Sequence, residues 1–243
     1  PSYPIHTFGF IIAGATIRSV PTTPDENYFR SLERAMAFTV PRPSILVVNY
    51  PSNPTAETVD LAFYERLVAW AKENKVWILS DLAYSELYFD GNPTPSILQV
   101  KGGKDVAVEF TSLSKTYSMA GWRVGFAVGN RQLIAAMTRV KSYLDYGAFT
   151  PIQAAACAAL NGPQDIVEQN RQLYHKRRDI LVDAFGRAGW DIPPPRASMF
   201  AWAPLPPALA HLAGRHHRLL ESFGNGAHRQ PQGLRRSRLA RGS

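Results

Sequence analysis

The chain has 243 residues, enough for one large or two small domains around a sizeable buried core. Hydrophobic residues make up 45% and charged residues 19%, a balance that excludes disordered and collagen-like classes. The net charge of +8 is unevenly placed: His211 to Ser243 holds seven Arg, no Lys and one acid, Glu221, so the remainder is nearly neutral and a uniform basic surface for nucleic acid is excluded.

Pro1 to His6 reads as the tail of a loop leading into Phe8 to Ala15, and because the chain opens on Pro1 an upstream portion is expected. Three short apolar runs follow: Ser44 to Asn49 (SILVVN), Val76 to Asp81 (VWILSD) and Val106 to Ser112 (VAVEFTS). Their nearly continuous hydrophobicity is the pattern of strands buried on both faces. Between the first two, Leu61, Tyr64, Leu67, Val68 and Ala71 recur at helical spacing within Val59 to Asn74, with Thr58 as the expected cap. Strand, helix, strand is a parallel crossover unit and predicts an α/β architecture.

Trp122 to Val128 (WRVGFAV) is a fourth strand candidate. Helices are expected over Gln132 to Tyr143, Pro151 to Leu160 and Pro163 to Ala188, and a strand over Ser198 to Ala203. The domain expectation is a large-domain core over 1–150, connecting helices and the start of a smaller domain over 151–207, and a divergent Arg-rich tail over 208–243. Cys157 is the single cysteine, which rules out an intrachain disulfide, fits a reducing compartment and is expected to fill a core position. No apolar run approaches the ~20 residues that cross a bilayer, and no basic-then-apolar leader opens the chain, so a cytoplasmic protein without membrane contact is expected.

In an α/β sheet, ligands bind beyond the carboxyl ends of the strands. Each apolar run here ends in a polar cluster: Asn49 to Thr55 (NYPSNPT), Asp81 to Tyr84 (DLAY) and Ser112 to Arg123 (SLSKTYSMAGWR). Singly each has an ordinary explanation. Asn53 before Pro54 is a turn residue, Asp81 a helix cap, Tyr84 a core aromatic with a wet hydroxyl and Lys115 a solvated lysine. Their order and spacing together point elsewhere.

The segment Ser112-Leu-Ser-Lys115-Thr-Tyr-Ser-Met-Ala-Gly-Trp-Arg123-Val-Gly125 resembles the cofactor-attachment signature of class I/II aminotransferases, with Ser52-Asn-Pro-Thr55 and Ser80-Asp-Leu-Ala-Tyr84 upstream in that family's order. The resemblance runs from Pro1 to about Pro206 and is nearest to the bacterial glutamate-pyruvate (alanine) and LL-diaminopimelate aminotransferase group. It implies fold type I of the pyridoxal 5'-phosphate (PLP) enzymes, with a mostly parallel sheet, flanking helices and part of a smaller α+β domain. It implies a homodimer that moves an amino group between an amino acid, alanine favoured, and a 2-oxo acid such as 2-oxoglutarate or pyruvate.

The resemblance also implies roles. Lys115 would form the Schiff base, which needs an amine able to shed its proton, and would then move the substrate proton. Asp81 would keep the pyridine nitrogen protonated. Asn53 and Tyr84 would bond the ring oxygen, Ser112 and Arg123 the phosphate, and Tyr3 would cover the pyridine face. No metal is expected.

Relatives place a Gly/Ser phosphate loop upstream of Pro1 and a carboxylate-binding arginine near their C-terminus, neither of which is found here. Arg229, Arg235, Arg236, Arg238 and Arg241 lack the family context for that arginine. A tail rich in Arg, Gly and His but lacking Lys is expected from a shifted GC-rich reading frame, and the chain alone is expected to bind PLP weakly. Two other readings keep the scaffold: a PLP β-lyase or decarboxylase, and a non-catalytic sensor domain of a transcription regulator.

Overall fold

The computed structural model describes residues 1–206, within which Pro1–Ala203 form one compact unit. The expectations for the tail over 208–243, including Arg229, Arg235, Arg236, Arg238 and Arg241 and the reading frame, lie outside the described residues.

Four strands form the sheet, in the order β1 (Ile45–Asn49), β2 (Trp77–Asp81), β3 (Ala107–Ser112) and β4 (Gly125–Gly129). The first three are parallel and β4 runs against β3, so the sheet is mostly parallel, as its apolar runs predict. Register aligns the chemistry. Asn49 pairs with Asp81 at the carboxyl ends of β1 and β2, and Ser112 pairs with Gly125 where β3 ends.

Helix α1 (Ile5–Ile12) occupies ground read as the end of a loop. Helix α2 (Glu26–Phe38) had no counterpart in the sequence reading. Its start is fixed by Asp25, whose Oδ1 accepts from the backbone N–H of Asn27 at 2.8 Å and of Tyr28 at 3.1 Å. Its Tyr28, Phe29, Leu32, Ala35 and Met36 form one buried stripe. Helix α3 (Leu61–Asn74) is capped by Asp60, accepting from Phe63 N–H at 2.8 Å, and not by Thr58. Lys75 ends it in the left-handed conformation at φ 57°.

The stripes of α2 and α3 meet the sheet in one core, where Tyr64, Leu67, Ile78 and Ile97 are sealed from solvent. Side chains of that size each stabilise the fold by about 1.5–3 kcal/mol through burial. The Phe63 ring touches those of Tyr28, Phe29, Tyr50 and Tyr64, and so joins both helices to the loop after β1.

After β2, a short 3₁₀ turn (Ile97–Gln99) and α4 (Gly103–Val106) lead into β3. The four-residue α5 (Leu113–Thr116) and a second 3₁₀ turn (Ala120–Trp122) connect β3 to β4. Helices α6 (Arg131–Leu144), α7 (Thr150–Asn161) and the 23-residue α8 (Asp165–Arg187) follow within one or two residues of their predicted bounds.

Two expectations are corrected here. The run 198–203 forms no strand: the backbone pairs only at an isolated bridge between Tyr88 and Ala197, and Phe200 turns its ring onto Tyr84. Cys157 is exposed, because α7 buries only Ala156 among the described residues.

A buried carboxylate holds the 3₁₀ turn to the sheet. Glu109 on β3, 5% exposed, accepts from Ser96 Oγ at 2.6 Å, Ser80 Oγ at 3.1 Å and the Ile97 N–H at 3.2 Å. Burial raises its pKa above the ordinary 4.5, and the three hydrogen bonds oppose that rise without cancelling it. A raised folded-state pKa gives stability that is complete below the unfolded value and is lost as pH climbs through the folded one. Against the non-titrating Glu109→Gln, the wild type should therefore lose stability progressively from about pH 4.5 upward. Denaturant melts of both proteins across that range check this, and a pH-independent difference would contradict it. Glu109→Leu should cost about 1–3 kcal/mol below about pH 4.5, since it strands the donors around it, and less as pH rises.

Candidate functional site

The site assembles at the carboxyl ends of β1 to β3, where three loops leave the sheet. The first leaves β1 through a tight turn in which Ala56 N–H returns to the Ser52 carbonyl at 3.0 Å. Asn49, the last residue of β1, fastens that turn to its neighbour. Its Oδ1 accepts from the Asn53 N–H at 2.9 Å and its Nδ2 donates to the Asp81 carbonyl at 2.9 Å. Asn53 then points Nδ2 to the Tyr84 hydroxyl at 3.5 Å.

Asp81 ends β2 with both carboxylate oxygens engaged. Oδ1 accepts from the Ala83 N–H at 3.2 Å, and His6 Nε2 lies 2.8 Å from Oδ2 and donates to it. His6 comes from α1, 75 residues away in sequence, and is itself edge-on to Tyr3 with ring centroids 5.6 Å apart. Tyr84 is 6% exposed, with the Phe200 ring packed edge-on at 5.7 Å. Burial first, and then the charge of Asp81, raise its phenol above the usual pKa of 10.0, so at neutral pH its hydroxyl is a donor.

Lys115 rides on α5, whose Leu113 is buried and whose start is capped by Ser112 Oγ accepting from Ser114 N–H at 3.2 Å. The lysine Nζ stands 6.0 Å from the centre of the Tyr84 ring. Arg123 follows in left-handed backbone at φ 52°, strained for a side chain with a Cβ, and donates from Nη1 to the Ala120 carbonyl at 2.9 Å.

Of the seven residues expected from sequence, Asn53, Tyr84 and Lys115 are thus neighbours, Asp81 acts on Tyr84 through its charge, and Tyr3 joins through His6. Ser112 and Arg123 use their polar atoms locally, and neither side chain bonds another of the seven among the described residues. Sequence reasoning missed His6 and Asn49. A lone histidine in a proline-flanked segment carries no spacing signal, while Asn49 was visible only as the end of a strand.

A cavity of about 510 Å³ adjoins the site at His6, Asn49 and Asn53 and extends along β1 beneath α2. Lys115, Asp81 and Tyr84 are not in its wall, so the chemistry lies on the rim and not in the cavity. The donor set on that rim fits PLP: an amine beside a buried phenol, an amide and a carboxylate held by an imidazole. No group of three or more His, Cys, Asp or Glu able to hold a metal occurs among the described residues.

Comparison with known proteins places this geometry. The family model for aminotransferase class I and II matches residues 1–225. AatC of Rhizobium meliloti is 58% identical over 87% of this chain and 52% of its own length, and the glutamate-pyruvate aminotransferase AlaC of Escherichia coli is 51% identical over 86% and 51%. The chain therefore spans about half the length of the curated relatives it matches. Among solved structures, apo-BacF from Bacillus subtilis superposes with a TM-score of 0.80 at 31% identity, covering 92% of this chain and 60% of that one. The chain belongs to the class I and II aminotransferase family, built on fold type I with pyridoxal phosphate as its cofactor.

Proposed function

We propose that this chain is the cofactor-binding core of an aminotransferase in which Lys115 carries PLP and moves the proton at the substrate α-carbon. The observation that carries the reading is the meeting of Lys115, Tyr84 and Asn53, from three separate loops, beside a carboxylate held by His6. When bound, the cofactor supplies an electron sink for the carbanion that proton removal leaves. The chain's residues supply the rest. Asp81 would offer its carboxylate to the ring nitrogen, and His6, by donating to Oδ2, keeps that carboxylate oriented. Tyr84 and Asn53 donate to the ring oxygen, which a buried phenol can do across the neutral range. Ser112 and the guanidinium of Arg123, released from the Ala120 carbonyl, hold the phosphate, and Tyr3 covers the ring. With its amine free, Lys115 would serve as the base and then the acid at the substrate α-carbon.

Alanine with 2-oxoglutarate is the favoured substrate pair, supported by 51% identity to the E. coli glutamate-pyruvate enzyme against 43% to the LL-diaminopimelate aminotransferase of Desulforudis audaxviator. The reading includes a homodimer, for which the exposed Tyr143, Leu144, Tyr146 and Phe149 offer apolar surface. A cytoplasmic location is part of it, and no helix among the described residues is long and apolar enough to cross a membrane.

Borohydride reduction of the full-length protein loaded with PLP, followed by peptide mapping, should place the cofactor on Lys115. Lys115→Ala should abolish that label and lower pyruvate formation from alanine by about 10³-fold or more. A label that persists on another lysine in the variant would sink the assignment. Asp81→Asn should lower kcat by about 10²–10³-fold. His6→Leu, which acts through Asp81 and the packing of Tyr3, should lower it about tenfold. Steady-state kinetics and cofactor titration check this order, and a His6 variant as crippled as the Asp81 variant would assign the imidazole a direct role.

A further inference from the structure

Two adjacent residues of α8, Asn170 and Arg171, reach the two loops that carry the site. Asn170 is 8% exposed and commits both ends of its amide to the turn after Lys115. Its Nδ2 donates to the Thr116 carbonyl at 3.0 Å, and its Oδ1 accepts from Ser118 Oγ at 3.3 Å. Arg171 reaches the stretch after Tyr84. Its Nε donates to the Glu86 carbonyl at 3.1 Å, its Nη2 to the Glu86 carboxylate at 3.2 Å, and its guanidinium lies 3.9 Å from the centre of the Tyr88 ring. Nη1 is tied back to Glu168 on α8 itself, so the arginine is anchored at both ends.

Neither loop can set its own position. A four-residue helix such as α5 lacks the cooperative length to hold its geometry alone, and the chain beyond it turns left-handed at Ser118, φ 55°. Nor do the two loops pack against each other here, since a cavity of about 290 Å³ has Glu86 in its wall together with Thr116, Tyr117 and Arg171. Successive helix residues project about 100° apart, which lets positions 170 and 171 address loops on either side of that gap.

We propose that Asn170 and Arg171 are positioning residues for the reaction: α8 acts through them as a brace that sets the separation of Lys115 from Tyr84, at 6.0 Å from Nζ to the ring centre. The proposal rests on the reading of Lys115 as the cofactor-bearing amine. Asparagine suits its place because the turn presents one acceptor and one donor, and the two ends of an amide answer both at once.

The test uses the full-length protein with PLP and four variants. Asn170→Asp keeps size and the Ser118 bond but sets an acceptor against the Thr116 carbonyl. Arg171→Met keeps the stem and removes the guanidinium. The third variant combines these two changes, and Lys176→Ala, exposed on the same helix, is the control. The readouts are the rate of cofactor attachment to Lys115 by borohydride trapping, the pH midpoint of the cofactor absorbance, and the melting temperature. Each single variant should slow attachment by about tenfold to a hundredfold and move the pH midpoint, while the control matches wild type. The double variant should lose less than the product of the singles, because the two residues act as a unit. Wild-type attachment rates with an unmoved midpoint overturn the proposal, whatever happens to melting. If the α8 variants do not fold, Ser118→Ala, which removes one exposed hydroxyl, decides: slower attachment supports the brace and an unchanged rate overturns it. A wild type that carries no label on Lys115 defeats the underlying reading instead, and is told apart by that control alone.

Discussion

Asn49 and Asp81 face each other at the last paired position of β1 and β2, and the Asn49 amide converts that pairing into a fixed distance between two loops. Side chains alternate faces along a strand, so a slip of one residue would bring Val48 or Tyr50 opposite Asp81 and carry the amide to the wrong side. Everything else at the rim is referred to this point: Asn53 through its backbone N–H, Tyr84 through Asn53, and Lys115 through its approach to the Tyr84 ring. The apolar content of β1 and β2 secures the register, since each strand buries residues that a slip would expose.

The same alternation separates two carboxylates with opposite duties. Ser80 turns toward Glu109, where burial disfavours charge and the carboxyl group serves to hold a turn. Its neighbour Asp81 turns toward the rim, where His6 donates to its carboxylate and fixes its orientation. Consecutive positions of β2 therefore serve two acids on opposite faces of the sheet: Ser80 holds Glu109 of β3 on one, and Asp81 stands on the other.

Much of this was legible in the sequence, and the omissions have physical causes. The strands were readable because little polar interrupts ILVVN or WILSD, although only one face of each is buried and the other is partly covered, against the two buried faces expected. The meeting of Asn53, Tyr84 and Lys115 was readable from the polar residues that follow each run. Helix α2 was missed because its buried stripe is diluted by charged residues in ENYFRSLERAMAF, so that its mean character is polar. The α3 cap slipped by two residues because Thr58 and Asp60 are both competent acceptors and only the backbone geometry chooses between them. The run 198–203 carries strand-like composition, but its bulk is drawn to Tyr84 through Phe200, a tertiary contact that no local pattern encodes. His6, Asn49, Asn170 and Arg171 share one trait. Each matters through a partner remote in sequence, and such partners leave no spacing to read.

Gly125 pairs with Ser112, and a Cβ built there would lie 2.5 Å from the Thr111 carbonyl oxygen. Any other residue at 125 must push β4 away from β3, and the Leu113 N–H, which bonds the Val124 carbonyl, would be carried with it. The platform under Lys115 is thus tied to a backbone contact and not to a side chain. A change of side chain at the rim can leave the backbone where it is, while a change at position 125 moves the lysine's footing itself.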